Sequence, residues 1–241
     1  MKQPEIHVFK TPVEVASAFA WYLKAFINGR EQTNIALSGG STPKILFDFL
    51  TKQNGQGIPW ERVRFFWGDE RCVPPNDPES NYKMTREVLF DSICVQEANV
   101  HRILGENDPA TEARRYSQVI REHLPIVDGF PQFDLVILGM GEDGHTASIF
   151  PDQMGLLSSK EVCEVASHPL TGQKRVTLTA RTINHATHVA FLVTGASKSQ
   201  KVRQILEGEK DALAFPAYHI RPASQNLAWY LDEAAFEQTN P

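Results

Sequence analysis

The sequence predicts an α/β fold built on an open, mostly parallel, doubly wound sheet with helices on both faces. Three observations support this prediction. Short runs rich in β-branched and aromatic residues recur along the whole chain, and helical patterns lie between most of them. Several of the runs carry apolar residues on both alternating faces, as strands covered on both faces require. Alternating strands and helices place parallel strands side by side with helices packed on the sheet.

The strand candidates, in chain order, are TNIALS, VRFFWGD, FDLVILG, EVCEVAS, RVTLTA, THVAFLVTG and NLAWYLD. The helix candidates are residues 12–28, 43–52, 80–90, 109–124 and 197–207. Helix 43–52 is entered through Ser41, Thr42 and Pro43, and proline favours a helix start because its missing N–H needs no partner there. The loop-like stretches, 73–80 and 151–155, are too short for domain linkers, so we expect residues 1–241 to form one domain.

Composition excludes several classes of function. With 241 residues, 41% of them hydrophobic, the chain can bury a full core. A net charge of -5 argues against nucleic-acid or membrane-surface partners, which need a basic face. The N-terminus has no apolar signal segment and the apolar runs are shorter than a membrane span, so we expect a soluble, cytoplasmic protein. Three widely spaced cysteines, Cys72, Cys94 and Cys163, are typical of free thiols in a reducing compartment.

In open α/β sheets ligands bind at the carboxyl ends of strands, so the loops after the strands are the candidate site. The first loop, S-G-G-S-T-P at 38–43, leads into a helix. Its glycines let backbone N–H groups approach an anion, its hydroxyls can donate to the anion, and the helix N-terminus adds a favourable dipole. This pattern favours a phosphate cradle over a tight turn with an N-cap. The predicted phosphate-binding residues of the loop are Ser38, Gly39, Gly40 and Thr42.

The same loop has a second interpretation. A-L-S-G-G at 36–40 resembles a relaxed nucleophile elbow, with Ser38 as the attacking hydroxyl. Ala36 stands at the first glycine position of that motif, and no signature marks the acid and the histidine of a triad. We therefore keep the elbow as the weaker alternative.

The second loop, G-D-E-R-C-V-P at 68–74, follows a buried aromatic strand. Polar side chains at the mouth of such a strand are costly unless they are used. Arg71 can make a bidentate contact with phosphate or substrate, and Asp69 can hold hydroxyls or steer a base. The alternative is a surface cluster of ion pairs.

The third loop, G-M-G-E-D-G-H-T-A-S-I-F-P at 139–151, begins with a G-x-G-x-x-G match, and Glu161 and Glu164 lie roughly twenty residues on, as in a dinucleotide site. Pro151 comes only seven residues after Gly144, which leaves too little chain for a crossover helix. We therefore expect the glycines to open a pocket at the sheet edge.

His145 stands at the lip of that pocket, and two carboxylates, Glu142 and Asp143, precede it with one glycine between. Imidazole can accept a proton at neutral pH, so a histidine beside Asp143 is a natural general base. The alternative is that Asp143 or His145 caps a short helix. The run of unusual residues around His145 favours a catalytic role over helix capping.

A fourth loop, T-G-A-S-K at 194–198, again enters a helix and supplies Lys198 to a second anion-binding end. Arg175, at the start of RVTLTA, is either a third cation or a surface charge. His185 and His188 have no third ligand nearby in the sequence, so we expect no catalytic metal.

Taken in order, SGGSTP, GDERCVP, GEDGHTASIFP, RVTLT, TGASK and WYLDEAA resemble the 6-phosphogluconolactonases across nearly the whole chain. The resemblance implies the α/β domain shared with glucosamine-6-phosphate deaminase, ribose-5-phosphate isomerase and CoA transferases. It also implies hydrolysis of 6-phospho-D-glucono-1,5-lactone to 6-phosphogluconate in the oxidative pentose phosphate pathway, without a cofactor. The expected partner is that small phosphorylated sugar lactone, bound by a monomer or small homo-oligomer.

The family's catalytic histidine falls on His145, which would activate water without a covalent intermediate. Asp143 or Asp69 would orient the imidazole and the sugar hydroxyls, and the sequence leaves that choice open. The phosphate would be held by Ser38, Gly39, Gly40, Thr42, Arg71 and Lys198.

Two rival functions remain at this stage. A glucosamine-6-phosphate deaminase resembles the chain in its phosphate loops and D-G-H core, but that family continues as H-I-A-F-N-E-P, and the glutamate used for ring opening is missing here. A non-catalytic sugar-phosphate sensor would keep the phosphate loops and dispense with His145.

Overall fold

The computed structural model describes residues 3–54 and 57–236. Its strands are β1 (Glu5–Phe9), β2 (Thr33–Leu37), β3 (Val63–Trp67), β4 (Asp69–Arg71), β5 (Ile126–Val127), β6 (Phe130–Pro131), β7 (Leu135–Leu138), β8 (Cys163–Ser167), β9 (Lys174–Leu178), β10 (His188–Val193) and β11 (Leu227–Asp232). Its α-helices are α1 (Pro12–Asn28), α2 (Ser41–Phe49), α3 (Asn81–Val88), α4 (Pro109–His123), α5 (Ala180–Asn184), α6 (Ser199–Glu207) and α7 (Glu233–Phe236).

Six strands form a central parallel sheet in the order β1-β11-β10-β7-β2-β3. Helices cover both faces. On one face, α1 packs Phe19 edge-on against Tyr230 of β11. On the other, His123 of α4 contacts His101, which stacks on Phe66 of β3. The predicted doubly wound parallel fold is therefore confirmed.

All seven predicted strands exist, but two of them lie outside the parallel sheet. β8 and β9 pair antiparallel with each other, and β9 pairs antiparallel with β4, in a separate three-stranded sheet. The physical reason is the connection: residues 168–173 between β8 and β9 are too few for the crossover that parallel strands need. The sequence pattern alone does not distinguish these two runs from strands of the parallel sheet.

Strand β1 was not predicted, because its sequence EIHVF is polar at alternate positions and lies at the sheet edge, where all its side chains are exposed or half-buried. The five predicted helices agree closely with their predicted bounds, and the short helices α5 and α7 were not predicted. The main differences are that α2 begins at Ser41 and passes into a π-helical turn at Leu50–Asn54, and that a 3-10 turn at Ala196–Lys198 precedes α6.

The segment after β7 does not form a crossover α-helix. Pro151–Ser158 is a 3-10 segment, and the chain then enters β8 of the antiparallel sheet. This confirms that Pro151 defeats the dinucleotide interpretation of the glycine-rich loop, since that site requires the N-terminus of a βαβ helix.

A buried tyrosine fixes the end of β3, where one of the site loops begins. Tyr116 of α4 is fully buried. The backbone N–H of Trp67 donates to the Tyr116 hydroxyl (2.8 Å), which donates to the Trp67 carbonyl oxygen (3.2 Å). A buried phenol is well tolerated when it is hydrogen-bonded in this way. α4 is thereby fixed to the last residue of β3.

Within the described residues, no helix is both long and apolar enough to cross a membrane. Cys72, Cys94 and Cys163 are all free thiols, as predicted.

Candidate active site

The loops after four parallel strands, β2, β3, β7 and β10, meet at the carboxyl edge of the central sheet around a cavity of about 270 Å³. Nine of the ten predicted site residues line the cavity: Ser38, Gly39, Gly40, Thr42, Asp69, Arg71, His145, Arg175 and Lys198. The tenth, Asp143, is hydrogen-bonded to His145. Residues from loops more than 150 positions apart in the sequence thus share one cavity.

The helix N-terminus on the β2 side presents no side-chain cap. The N-cap of α2 is Gly40 with φ +98°, a left-handed conformation that glycine adopts without strain, and no side chain accepts from the first N–H groups of the helix. These N–H groups have no partner within the helix either. The simple N-cap alternative therefore has no support here, and the loop is open to an anion.

Only glycine fits at position 39, because a neighbouring side chain occupies the space that a Cβ would need. A Cβ at this position would lie 1.8 Å from Oδ1 of Asn81, the first residue of α3. Asn81 is buried, lines the cavity and donates through Nδ2 to the carbonyl oxygen of Asp69 (2.9 Å). Sequence reasoning missed Asn81, although its place just after the polar loop 73–80 was a usable signal.

The two candidate phosphate loops are joined directly. Thr42 Oγ1 lies 2.8 Å from Thr194 Oγ1, a hydrogen bond between the β2 loop and the β10 loop. In the β10 loop, the backbone N–H of Gly195 (φ +99°) donates to the buried carboxylate of Asp232 (2.9 Å). Lys198 is largely buried at the cavity, and its Nζ lies 3.9 Å from Oε1 of the exposed Glu142.

Two arginines face each other across the antiparallel sheet. Arg71 of β4 is the direct cross-strand partner of Arg175 of β9. Like charges in that relation repel. The Nε–H group of each arginine is buried without a hydrogen-bond partner. Burial, together with the charge of Arg71, lowers the pKa of Arg175, although Asp69 acts in the opposite direction.

The side chain of Arg175 is only 12% exposed, so it belongs to the cavity wall and the surface-charge alternative does not apply. Buried polar groups are normally paired, and an unpaired guanidinium N–H is costly. The arginine pair therefore has the charge and the free donors that an anionic ligand would satisfy.

Asp69 is held within this cationic wall. It is buried, accepts a hydrogen bond from Ser148 Oγ (2.6 Å) and lies 4.0 Å from Arg175 Nη1. Ser148 follows His145 by three positions and is fully buried, so its hydroxyl ties the β7 loop to β4. Sequence reasoning did not assign Ser148 a role.

Asp143, and not Asp69, contacts the imidazole. Its Oδ1 lies 2.6 Å from His145 Nδ1 and accepts the backbone N–H of His145 (3.1 Å). Burial raises the pKa of the Asp143 carboxyl, but the hydrogen bonds and charge of His145 outweigh it, so that the pKa is below its usual value. An ionised carboxylate only accepts, so Nδ1 carries the hydrogen and Nε2 keeps the lone pair.

The glycines of the β7 loop serve packing. A Cβ on Gly141 would lie 2.2 Å from Cε1 and Nδ1 of the imidazole, so the ring sits where only glycine leaves space. Gly144 has φ +83°, and a Cβ there would lie 2.7 Å from Cβ of Phe215. Phe150 packs on the imidazole with ring centroids 4.8 Å apart. The N–H groups of Gly141 and Gly144 donate within their own loop, to the carbonyls of His145 and Gly141. Backbone donors for a developing oxyanion must come from elsewhere.

The nucleophile-elbow alternative gains no support from the geometry. The hydroxyl of Ser38 donates to the carbonyl oxygen of Gly39 (3.3 Å) and not to the imidazole. A triad would need the serine hydroxyl on the histidine.

The other two histidines considered in the sequence lie away from the cavity. His185 Nε2 is hydrogen-bonded to the carbonyl of Val127 (3.0 Å), and His188 Nδ1 contacts Thr187 Oγ1 (3.3 Å). Among the residues that the structure describes, no group of three or more His, Cys, Asp or Glu side chains could hold a metal ion.

Comparison with known proteins places this cavity in a family. Residues 11–229 match the model of the glucosamine-6-phosphate isomerases/6-phosphogluconolactonase family. A 6-phosphogluconolactonase of Haemophilus influenzae is 43% identical over 203 residues, which is 84% of this chain and 85% of that protein.

Two solved structures resemble the whole chain. The crystal structure of a protein called devB superposes with a TM-score of 0.92 at 41% identity and covers 97% of this chain and 98% of its own. The 6-phosphogluconolactonase from Trypanosoma brucei superposes with a TM-score of 0.85 at 32% identity, with 98% of both chains covered.

Proposed function

The chain belongs to the family of glucosamine-6-phosphate isomerases and 6-phosphogluconolactonases, and from that premise we propose that it hydrolyses 6-phospho-D-glucono-1,5-lactone to 6-phospho-D-gluconate in the oxidative pentose phosphate pathway. The observation that carries the proposal is one cavity that combines the His145–Asp143 pair with the facing pair Arg71 and Arg175. The first pair suits proton transfer, and the second suits a phosphate.

The phosphate of the substrate binds between the arginine pair, the open N-terminus of α2 and Lys198. Guanidinium groups make the bidentate hydrogen bonds that phosphate oxygens accept, and the helix N-terminus adds N–H donors and dipole. Ser38, Gly39, Gly40 and Thr42 complete this end of the cavity. Holding the phosphate fixes the lactone carbonyl at a set distance from His145, which removes much of the entropic cost of the reaction.

The chemical step needs one base. His145 Nε2 takes a proton from water, and the oxygen of that water bonds to C1 of the lactone. The tetrahedral intermediate collapses by breaking the bond between C1 and the ring oxygen, and the proton passes from Nε2 to that oxygen to give the 5-hydroxyl group. The new carboxylic acid then ionises in water. A lactone is an activated ester, so neither a covalent intermediate nor a cofactor is needed.

Asp143 orients the imidazole and stabilises its protonated form, as a carboxylate on Nδ1 does in general acid–base catalysis. Asp69 has a different role: held by Ser148 and facing the cavity, it binds sugar hydroxyl groups. The separate environments of the two carboxylates support this division.

The test is a hydrolysis assay on the purified chain with 6-phosphogluconolactone and with the unphosphorylated lactone, in chelator, over about pH 5 to 8. We expect metal-independent hydrolysis that prefers the phosphorylated substrate, and we expect His145→Ala to lower kcat by about 10²- to 10⁴-fold.

Three outcomes would contradict the proposal. Hydrolysis at the spontaneous rate, with ammonia release from glucosamine 6-phosphate, would indicate a deaminase. Full activity of the His145→Ala protein would exclude the proposed base. Labelling of Ser38 by a fluorophosphonate, with loss of activity, would establish a covalent serine mechanism.

A further inference from the structure

Glu70 is a buried carboxylate that the proposed mechanism does not use. It is 2% exposed and stands in β4 directly before Arg71. Its two oxygens accept four hydrogen bonds. Oε1 accepts from the backbone N–H groups of Arg71 and Asn81 (2.8 Å each), and Oε2 accepts from the N–H of Tyr82 (2.8 Å) and from Ser80 Oγ (3.0 Å).

Three of these donors belong to the first turn of α3 and its N-cap. A carboxylate at a helix N-terminus satisfies N–H groups that have no partner in the helix and interacts favourably with the helix dipole. Glu70 therefore fixes the start of α3 onto β4. Burial raises the pKa of Glu70 and the four hydrogen bonds lower it, with burial prevailing, so the position is kept in spite of a desolvation cost.

The start of α3 in turn fixes both sides of the phosphate end of the cavity. Asn81 is hydrogen-bonded to the backbone of Asp69 and lies against Gly39 with no room for a single added carbon atom. A shift of α3 would thus displace the glycine loop of the anion site, while loss of the bond to the Arg71 N–H would loosen β4 at the arginine pair.

We propose that Glu70 is a positioning residue that sets the spacing between Arg71 and the Ser38–Thr42 loop, and so determines affinity and selectivity for the phosphorylated end of the substrate. The inference rests on the proposed function. Glu70 contacts no reacting atom in this scheme; it acts through Arg71 and Asn81.

The test is Glu70→Gln. The amide keeps the size of the side chain, but its NH₂ group faces two of the N–H or O–H groups from which the carboxylate accepted hydrogen bonds. We expect KM for 6-phosphogluconolactone to rise by about 10- to 100-fold, as expected when buried donors lose their acceptor. We expect kcat to change by less than about 3-fold, because the His145–Asp143 hydrogen bond lies within the β7 loop. The preference for phosphorylated over unphosphorylated lactone should fall by the factor by which KM rises.

Asp134→Asn is the matched control. Asp134 is a half-buried carboxylate at the opposite, amino edge of the sheet, where it accepts the backbone N–H (2.7 Å) and Nδ2 (3.0 Å) of Asn34. Its variant should lower Tm without changing KM. Ser80→Ala, which removes one of the four donors to Glu70, should raise KM by a smaller factor and takes the place of Glu70→Gln if that variant does not fold. All assays are run well below each Tm.

Two results overturn the proposal. The first is a Glu70→Gln protein whose KM changes no more than that of Asp134→Asn, and the second is a Glu70→Gln protein that loses kcat at unchanged KM. The same criteria apply to Ser80→Ala if it takes the place of Glu70→Gln. If the wild-type chain does not hydrolyse the lactone, the proposed function fails separately. Calorimetric binding of 6-phosphogluconate then decides the role of Glu70: a raised Kd in Glu70→Gln supports it, and an equal Kd overturns it.

Discussion

The two ends of the cavity differ in whether their polar groups already have hydrogen-bond partners. In the β7 loop, the partly exposed side chains of His145 and Asp143 meet in a short hydrogen bond. In the cavity wall formed by β4 and β9 (the β4–β9 wall), two half-buried like charges, Arg71 and Arg175, face each other, and each keeps a buried Nε–H group without a partner. The β7 loop needs nothing further to hold its base in place. The β4–β9 wall still has unpaired guanidinium N–H groups that an anion could accept from. We therefore expect changes in the β7 loop to alter kcat and changes in the wall to alter KM.

The largest expected effect is on kcat, from Asp143→Asn. An asparagine amide can donate to Nδ1, which would favour the tautomer with its lone pair on the wrong nitrogen, so we expect kcat to fall by about 10²- to 10⁴-fold. KM should stay within a few-fold of the wild-type value, as steady-state kinetics will show. Asp69→Asn is the matched variant, and a larger loss of kcat there than in Asp143→Asn would reverse the roles assigned to the two carboxylates.

The next effect is on substrate binding, from Arg175→Met. Loss of a charged donor to phosphate should raise KM for the phosphorylated lactone by about 10- to 100-fold. Hydrolysis of the unphosphorylated lactone should be unchanged. The change removes the repulsion with Arg71 and also the attraction to Asp69, so Tm of the ligand-free protein should change little. A KM change that is equal for both lactones would mean that Arg175 does not bind the phosphate.

A smaller effect concerns stability in the presence of an anion. Inorganic phosphate should raise Tm of the wild-type chain, since a ligand that binds only the folded state adds about 2.7 kcal/mol at 100 times its Kd. The increase should be much reduced in Arg175→Met and retained in His145→Ala. An equal increase in all three proteins, seen by thermal denaturation, would place the anion outside the β4–β9 wall.

The smallest effect is on the pH dependence of stability. The pKa of Asp143 is lower in the folded state than its usual value. Its contribution is therefore present above the unfolded pKa of about 3.9 and is lost as pH falls through the folded pKa. Urea denaturation of wild type and Asp143→Asn between about pH 2 and 6 should converge at the acid end. It also follows that Asp143 stays ionised above about pH 5, so any inflection of kcat/KM above that pH belongs to another group.

Local sequence was sufficient for the elements that depend on local physics. The runs that became β2, β3, β7, β10 and β11 could be predicted as strands, because a strand covered on both faces carries apolar residues on both alternating faces. Proline seven residues after Gly144 excluded a crossover helix without any tertiary information. His145 could be singled out because few residue types can act as a base at neutral pH.

Long-range pairing could not be predicted from those patterns. β8 and β9 look like further parallel strands, yet they leave the central sheet for an antiparallel one, and that pairing is what places Arg175 opposite Arg71. From the sequence alone, Arg175 could equally be a cation of the site or a surface charge. Its burial, and with it the anion site, results from strands that are about a hundred residues apart.

The sequence by itself determined the fold class, the loops that form the site, and the histidine at its centre, since hydrophobic period, helix starts and side-chain chemistry are properties of short segments. The tertiary structure alone decided which carboxylate contacts His145, that Asp69 belongs to the cationic wall, and that Glu70 and Asn81 hold that wall in register. Those choices depend on differences of a few ångströms between segments that meet only when the sheet assembles.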